Sequence, residues 1–438
     1  MNKEFNINTY LTAIEKTNLL ELRGRISQAI GLTLEAQGPR VNLGELCYVR
    51  TSNPLCTLLP CEVVGFRERR ILLMPLGELE GIGPGSELIA SGTTLKVNVG
   101  QQLKGRVLNG LGDPIDGRGP IKCQTQYAVM NPPPAPLKRK RISEILSVGI
   151  KAIDGLITVG RGQRMGIMAG SGVGKSTLMG MIARNTSADI NVIALIGERG
   201  REVREFLERD LGEEGLARSV VIVATSDEPA LVRLKGAFVA TSIAEYFRDQ
   251  GNDVLLLMDS LTRFALAQRE VGLAIGEPPA TRGYTPSVFA MMPRLLERAG
   301  TSEKGTITGL YTVLVEGDDM NEPVTDCVRG IVDGHIILDR NIAAMNVYPA
   351  IDVLNSISRV MIDISASEHM QNANRFRSIL ATYEEAKDLI DIGAYKKGSN
   401  PRVDEAIERI DRCREFLRQG IYDKAVFEEE LTFMRSCV

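Results

Sequence analysis

The chain has 438 residues, of which 44% are hydrophobic and 24% charged, and its formal net charge is −3. This composition is typical of a globular protein of roughly two to four domains, and the near-neutral charge excludes a global attraction to nucleic acid or anionic lipid. No run of about 18 apolar residues predicts a membrane span, and the first residues lack the apolar segment of a secretory signal. Seven cysteines without C-x-x-C spacing indicate reduced cytosolic thiols, and two histidines argue against histidine catalysis or a histidine metal site.

The first part of the chain predicts a short helix followed by a small β domain. Residues 1–23 place apolar side chains on one helical face, which favours either packing on the chain's own domain or docking to a partner. Residues 24–92 alternate short β-rich runs with Gly, Pro and Asn clusters, a pattern typical of a small barrel or sandwich. A turn-rich, proline-rich stretch follows, and its basic run 138–141 is more typical of a solvated surface than of a nucleic-acid patch.

The central part of the chain alternates apolar strands with helical patterns. Near-continuous apolar strands between helices indicate a parallel sheet covered on both faces, so this part is predicted to be α/β. Residues from about 346 to 438 are mostly helical in pattern. The clearest strands are 191–198, 219–226, 254–260 and 307–317.

The most informative stretch reads RGQRMGIMAGSGVGKST and covers residues 161–177. It follows the phosphate-binding loop pattern except that Ala169 stands where the first glycine is usual. Its glycines let backbone N–H groups turn inward around a polyphosphate, Lys175 adds a charge for the β- and γ-phosphates, and the Ser176 hydroxyl can ligate Mg²⁺. The residues expected to hold the nucleotide, ATP, are Gly170, Ser171, Gly172, Val173, Gly174, Lys175, Ser176 and Thr177.

Two acidic residues follow apolar strands and complete the predicted site. Asp259 ends the strand that begins at Val254, which is the arrangement that holds Mg²⁺ directly or through water. Glu198 ends another strand, where its carboxylate can accept a proton from water that attacks the γ-phosphate. The next residue, Arg199, could stabilise Glu198 or a phosphate, and the alternative for this charged stretch is a surface salt-bridge cluster.

Five long segments resemble the ATPases of protein-export systems. They read AGSGVGKST, IGERGREVREF, LLLMDSLTRFA, GEPPATRGYTPSVFAMMPRLLERAG and YPAIDVLNSISRVM. The resemblance is closest to the flagellar protein-export branch, with the injectisome type III secretion ATPases and the catalytic subunit of rotary ATP synthases as near relatives. It runs from about residue 24 to the end of the chain. It implies an N-terminal β-barrel (24–92), a RecA-like P-loop ATPase domain (93–345) and a C-terminal helical domain (346–438).

The same resemblance assigns roles that the residues alone do not. It implies a ring of six identical subunits with ATP at the interfaces, in which Arg359 would reach the neighbour's site as an arginine finger. Tyr348 matches an aromatic residue that stacks on adenine, and 276–300 matches a loop that lines the central channel. Taken from the residues alone, Arg359 is a surface charge and Tyr348 a core tyrosine.

Two departures refine the resemblance. Gly200 stands where the ATP synthase catalytic subunit has threonine, and this change, like Ala169, favours the secretion branch. The C-terminal stretch YEEAKDLIDIGAYKKGSNPRVDEAI is more similar to the flagellar branch.

The resemblance therefore implies a motor that hydrolyses ATP with Mg²⁺ and energises export of flagellar proteins. It would act in the cytoplasm at the inner face of the membrane, with a stator-like regulator docked on 1–23, a central stalk protein, an export gate and chaperone–cargo complexes as partners. The alternatives are an injectisome ATPase, the catalytic subunit of a proton- or sodium-translocating ATPase, and a hexameric nucleic-acid motor. The last is disfavoured because Tyr48 and Phe66 are the only aromatic residues between 24 and 92.

Overall fold

The computed structural model describes residues 21–52, 57–315, 317 and 319–438. The helix expected over 1–23 therefore lies outside the described residues, apart from its last three positions. The chain divides into two compact units, of which the first ends at Leu95 and includes Ala274–Gly276, and the second takes the remainder. Across the described ranges, none of the helices combines the length and the apolar character needed to span a membrane.

The first unit is a closed barrel of antiparallel strands in the order β1-β2-β5-β4-β3-β6. Its apolar side chains alternate along the strands, so that Leu34, Val49 and Leu73 are fully buried inside it. The predicted small β-barrel is confirmed. The strands are β1 (Arg23–Ile30), β2 (Thr33–Gln37), β3 (Glu45–Arg50), β4 (Leu58–Arg67), β5 (Arg70–Pro75) and β6 (Glu87–Thr94).

The second unit is built on a nine-stranded sheet in the order β17-β16-β10-β15-β13-β11-β12-β8, with the short β14 paired to β15. Every pairing is parallel except β16–β17 and β14–β15. The strands of this unit, including the β7–β9 ribbon outside the sheet, are β7 (Lys96–Val99), β8 (Val107–Asn109), β9 (Thr125–Ala128), β10 (Arg164–Ala169), β11 (Ile190–Ile196), β12 (Ser219–Ala224), β13 (Asp253–Asp259), β14 (Gly300–Thr301), β15 (Thr306–Leu314), β16 (Gly334–Leu338) and β17 (Ile351–Ser358).

Helices cover the sheet and form the C-terminal bundle. The central strand β11 is buried along its whole length, as expected for a parallel sheet with helices on both faces. The α-helices are α1 (Lys151–Leu156), α2 (Lys175–Asn185), α3 (Gly200–Glu205), α4 (Gly212–Ala217), α5 (Ala230–Asp249), α6 (Leu261–Ala274), α7 (Pro286–Leu296), α8 (Pro323–Ile331), α9 (Arg340–Ala344), α10 (Met361–Ile364), α11 (Ser367–Asp391), α12 (Pro401–Leu417) and α13 (Phe427–Cys437).

The sheet continues past residue 345, where the sequence pattern placed the start of the helical domain. Strand β17 pairs antiparallel with β16, with Ser358 opposite Gly334. The pairing adds one more strand at this edge, so the helical part begins after Ser358. At the other boundary, the compact units divide between Leu95 and Lys96, close to the expected 92.

The basic run 138–141 turns one of its side chains inward. The Arg139 guanidinium is 20% exposed and donates hydrogen bonds to the carbonyl oxygens of Glu297 and Ala299. These bonds attach the segment before α1 to the residues that directly follow α7.

The C-terminal bundle packs on α1 through a cluster of aromatic rings and a set of buried polar groups. Phe416 contacts Phe376 and Phe433 edge to face, with ring centroids 5.3 Å and 5.6 Å away. Asp154 of α1 is fully buried and accepts three hydrogen bonds, from the Ser147 hydroxyl and two backbone amides. Burial raises the pKa of Asp154 to about 6.

Candidate nucleotide site

The P-loop connects the carboxyl end of β10 to the first residue of α2. Gly172 and Gly174 have φ values of 80° and 91°, which L side chains rarely adopt, so the glycines at these positions are required by the backbone. Gly174 caps α2, and Lys175, Ser176 and Thr177 form its first turn. The free N–H groups and the positive end of the helix dipole therefore face the loop, as an anion site requires.

The sheet brings both predicted acidic residues to Lys175. The Lys175 Nζ lies 2.5 Å from Asp259 Oδ1 and 3.6 Å from Glu198 Oε1. Asp259 ends β13 and Glu198 follows β11, and these neighbouring parallel strands finish at the same edge of the sheet. Sequence reasoning missed Thr312 of β15, whose hydroxyl lies 2.6 Å from Asp259 Oδ1 and fixes the orientation of that carboxylate.

For each of these groups, burial and the opposite charge nearby change the pKa in opposite directions. Burial alone would lower the pKa of Lys175, but the charges of Asp259 and Glu198 hold it above its usual value. Burial raises the pKa of Glu198 to about 7, and the nearby charge of Asp259 adds to this rise while Lys175 opposes it. A hydrogen bond with Glu198 lowers the pKa of Glu202.

Ser176, Asp259 and Glu198 line one small cavity together with Glu202. The Glu198 Oε1 is buried and makes no hydrogen bond to any residue the structure describes. A hydroxyl and three carboxyl groups thus line a space at the head of the P-loop, and the Lys175 ammonium group pairs with two of those carboxyl groups. This is the arrangement needed to hold phosphate oxygens and to polarise a water molecule.

A second cavity of about 300 Å³ lies on the other side of the P-loop, beside Tyr348. The Tyr348 ring carbons come within 3.8 Å of the position that a Cβ on Gly174 would occupy, and the side chain is 43% exposed. Apolar side chains of the P-loop helix, including Leu178 and Met181, form one wall. The shape and lining fit a flat purine ring that stacks on an aromatic side chain.

Sequence reasoning did not find the far wall of this cavity. It is formed by Gln419, Gly420 and Ile421, which follow α12 in the C-terminal bundle. No motif marks these residues, because a loop between two helices takes this position only through the packing of the bundle on the sheet.

Two predicted site residues lie apart from the cluster around Lys175. The Arg199 side chain is 76% exposed and pairs with Glu202 at 3.2 Å. Arg359 is exposed and follows β17. Because β17 runs antiparallel to β16, Arg359 lies at the edge of the sheet opposite the P-loop, and its backbone N–H donates to the Asp333 carbonyl oxygen. The geometry separates Arg359 from the nucleotide site of its own chain.

The segment 276–300, expected to line a channel, consists of a loop and α7. Arg282 has a φ of 48° at the tip of the loop and forms an ion pair of 3.1 Å with Asp319.

Fold and site together define a P-loop nucleotide-binding protein of the ATP synthase type. Residues 149–358 match the nucleotide-binding domain of the ATP synthase alpha/beta family, and residues 26–92 match the beta-barrel domain of the same family. Residues 365–436 match the C-terminal domain of the type III secretion ATPase EscN. The central domain is therefore an ATP-binding domain.

Individual relatives show which members of this family the chain is similar to. The chain is 55% identical to the flagellum-specific ATP synthase of Bacillus subtilis, and the match covers 97% of each chain. It is 54% identical to the type 3 secretion system ATPase of Xanthomonas euvesicatoria, over 94% of this chain and 93% of the relative. The assembled ATPase EscN from enteropathogenic E. coli is 44% identical, with a TM-score of 0.89 over 94% of this chain and 99% of that chain. The chain belongs to the family of flagellum-specific ATP synthases and type III secretion ATPases.

Proposed function

We propose that this chain is a Mg²⁺-dependent ATPase that energises the export of flagellar proteins through a type III secretion apparatus. The observation that carries the proposal is the position of Lys175 between Asp259 and Glu198 at the head of the P-loop. This arrangement brings a phosphate-binding cation into contact with a metal-ligating carboxylate and a base. Near full-length relatives with flagellar and type III secretion names support the assignment to export.

The residues at the head of the loop fit a magnesium ion. Mg²⁺ takes oxygen ligands and keeps several waters, so it needs few protein groups. The Ser176 hydroxyl and the Asp259 carboxylate supply such oxygens and line the same cavity. When bound with ATP, Mg²⁺ supplies neutralisation of phosphate charge. In the described structure Lys175 pairs with Asp259, and this ammonium group would turn to the β- and γ-phosphate oxygens.

Glu198 is the base in this proposal. Its buried Oε1 makes no hydrogen bond within the described part of the chain, so it is available to a water molecule. A carboxyl group with a pKa of about 7 accepts a proton more readily than an ordinary glutamate at neutral pH. Arg199 would steady Glu198 through Glu202, with which it pairs.

The remaining roles depend on assembly. Arg359 lies away from its own P-loop, so as an arginine finger it would act on a neighbouring subunit of a hexameric ring. Tyr348 would stack on adenine in the cavity that it lines. A solved structure of EscN is described as assembled and another as a complex with the central stalk EscO, which supports a ring and a stalk partner for this chain.

The proposal also includes a location in the cytoplasm at the inner face of the membrane. Its further partners are a stator-like regulator on 1–23, an export gate and chaperone–cargo complexes. The second candidate function is that of an injectisome ATPase, which the Xanthomonas relative favours at nearly the same identity.

The test is complementation of a Bacillus subtilis strain that lacks its flagellum-specific ATP synthase. We expect this chain to restore secretion of filament protein and swimming, and Lys175→Ala not to do so. The chain could be stably expressed and hydrolyse ATP with Mg²⁺ but not with EDTA, yet fail to restore secretion and swimming. That result would contradict the flagellar assignment, and the assignment as an Mg²⁺-dependent ATPase would still hold. Co-purification of injectisome components from the native cytosol would then support the second candidate.

A further inference from the structure

The cavity beside Tyr348 has one wall that comes from the C-terminal bundle. One buried side chain, Gln419, holds this wall in place. Gln419 is 6% exposed. Its Oε1 accepts a hydrogen bond of 2.9 Å from the Lys151 backbone N–H, and its Nε2 donates to the carbonyl oxygens of Gly149 and Asp423, at 2.9 Å and 3.2 Å. The side chain thus joins the start of α1 to the loop after α12.

The backbone of Gln419 makes the second connection. Its N–H donates to the Tyr348 carbonyl oxygen at 2.9 Å. Gly420 and Ile421, which follow directly, form the cavity wall that faces the P-loop helix. One residue therefore fixes the distance between the two walls that would enclose a base. Since its amide oxygen and both amide hydrogens have partners, Gln419 does not read the base itself.

The same loop is attached to the far end of the P-loop helix. The Arg184 guanidinium donates to the Ile421 carbonyl oxygen at 2.6 Å, and it lies 5.5 Å from the centre of the Tyr422 ring. Asn185 Nδ2 donates to the Asp423 carbonyl oxygen at 3.3 Å. Gln419 and Arg184 thus hold the loop 419–423 from two sides, and none of these hydrogen bonds goes to the phosphate cradle.

We propose that Gln419 is a positioning residue that sets the affinity for the adenine base and leaves phosphate binding unchanged. The inference rests on the proposed function, because it assigns the cavity beside Tyr348 to the base of ATP. Loss of the three side-chain bonds of Gln419 releases the wall 420–421 from the start of α1, while the backbone bond to Tyr348 remains. The phosphate cradle keeps its geometry, since the hydrogen bonds described above attach this loop to α1, to Tyr348 and to the far end of α2, and none of them goes to Gly172, Gly174 or the first turn of α2. The C-terminal bundle therefore controls how tightly the nucleotide is held.

The experiment compares two ligands that differ in the base. Binding of ATP and of inorganic tripolyphosphate is measured by calorimetry for the full chain, for Gln419→Leu, and for Arg184→Met, which releases the other side of the loop. Leucine keeps most of the volume and removes all three side-chain bonds. We expect the Kd for ATP to rise about tenfold in each variant, the equivalent of one or two lost hydrogen bonds, while the Kd for tripolyphosphate stays within about twofold.

Arg375→Ala is the matched control, because Arg375 pairs with Glu405 on the exposed side of the same bundle. It should leave both Kd values unchanged. An equal rise for both ligands would show general loosening of the domain and overturn the inference, as would an unchanged Kd for ATP. If Gln419→Leu does not fold, Arg184→Met decides alone. A wild-type chain that binds tripolyphosphate but not ATP would instead contradict the proposed function.

Discussion

Two clusters of the second unit each contain one lysine and two carboxyl groups, and the clusters differ in how those carboxyl groups are stabilised. The nucleotide cluster is Lys175, Asp259 and Glu198, in which the ammonium group contacts both carboxylates. The helix-interface cluster lies between α1 and α13 and consists of Lys151, Asp154 and Glu430. There Asp154 is satisfied by three hydrogen bonds, whereas neither oxygen of Glu430 has a hydrogen-bond partner among the described residues.

The comparison shows two ways of keeping acidic groups out of water. In the nucleotide cluster, the ion pair between Lys175 and Asp259 offsets the cost of burying the ammonium group, whose pKa stays above its usual value. In the helix-interface cluster, Lys151 lies 5.8 Å from the Phe433 ring centre and burial lowers its pKa. Burial raises the pKa of Glu430 to about 8, and the charge of Asp154 adds to the rise. That cluster is stabilised by protonation, because an uncharged carboxyl group costs less to bury.

Replacement of Lys175 by alanine gives the largest expected effect and tests the functional side of the comparison. We expect ATP hydrolysis at the background rate, because the phosphate cradle loses its charge for both the bound nucleotide and the transition state. The matched control is Lys151→Ala, which removes the lysine of the other cluster and should keep most of the turnover. Hydrolysis by Lys175→Ala at the parental rate would contradict the assignment of the nucleotide cluster.

Arg359→Ala asks whether the nucleotide cluster is complete within one chain. If a finger from the neighbour completes it, specific activity of the wild type should rise with protein concentration as rings form. Arg359→Ala should lower turnover by roughly 10³-fold and remove that rise, with ATP binding by the isolated subunit nearly intact. The measurement is steady-state hydrolysis over a dilution series with the oligomeric state followed in parallel. Equal specific activity of monomers and rings would show that the cluster works alone.

Glu198→Gln separates catalysis from charge balance inside the nucleotide cluster. Glutamine keeps the shape and removes the base, so turnover should fall by roughly 10²-fold while ATP still binds. Single-turnover hydrolysis and equilibrium binding are the two measurements. The matched control is Glu430→Gln, which makes the same change in the other cluster and should leave turnover unaltered. An equal loss of binding and turnover in Glu198→Gln would point to a structural ion pair.

The elements of the nucleotide cluster that could be predicted from the sequence all have local signals. The glycine spacing before Lys175 marks a phosphate loop, and the apolar runs that end in Glu198 and Asp259 mark buried strands. The barrel was predictable for the same reason, because short strands alternate with turn residues. None of these inferences needs a contact between distant parts of the chain.

What the sequence could not predict depends on long-range pairing. Strand β17 carries the exposed side chains Leu354 and Ile357, and only its bonds to β16 place it in the sheet. Thr312 is one threonine within an apolar strand, and its bond to Asp259 arises because β15 and β13 are neighbours. Gln419 has no local signal either, since its partner Gly149 lies far away in the sequence.

The smallest expected effect is that of Glu430→Gln, which tests how the helix-interface cluster contributes to stability. The folded protein holds a proton on Glu430 up to about pH 8, whereas the unfolded chain releases it near the ordinary value of 4.5. The contribution of this group to stability is therefore full below about pH 4.5 and is lost as the pH rises toward 8. When the pH rises from about 5.5 to 8.5, the free energy needed to open α13 should fall in the wild type. We expect this fall to be about 1–3 kcal/mol larger in the wild type than in the variant.

Hydrogen exchange of the α13 amides, corrected for intrinsic rates, measures this opening directly. The charged and titratable groups that face Glu430 or lie on or against its helix include Asp154, Lys151, His369, Arg409, Arg412, Cys437 and the Arg435–Glu368 pair. All are present in both proteins, so the difference between them reports Glu430 together with its coupling to Asp154 and Lys151. Glu429→Gln, which changes the exposed neighbour on the same helix, should follow the wild type. If Glu430→Gln loses as much stability with rising pH as the wild type does, then Glu430 is already ionised in the fold. The helix-interface cluster would then be balanced by Lys151, as the nucleotide cluster is balanced by Lys175.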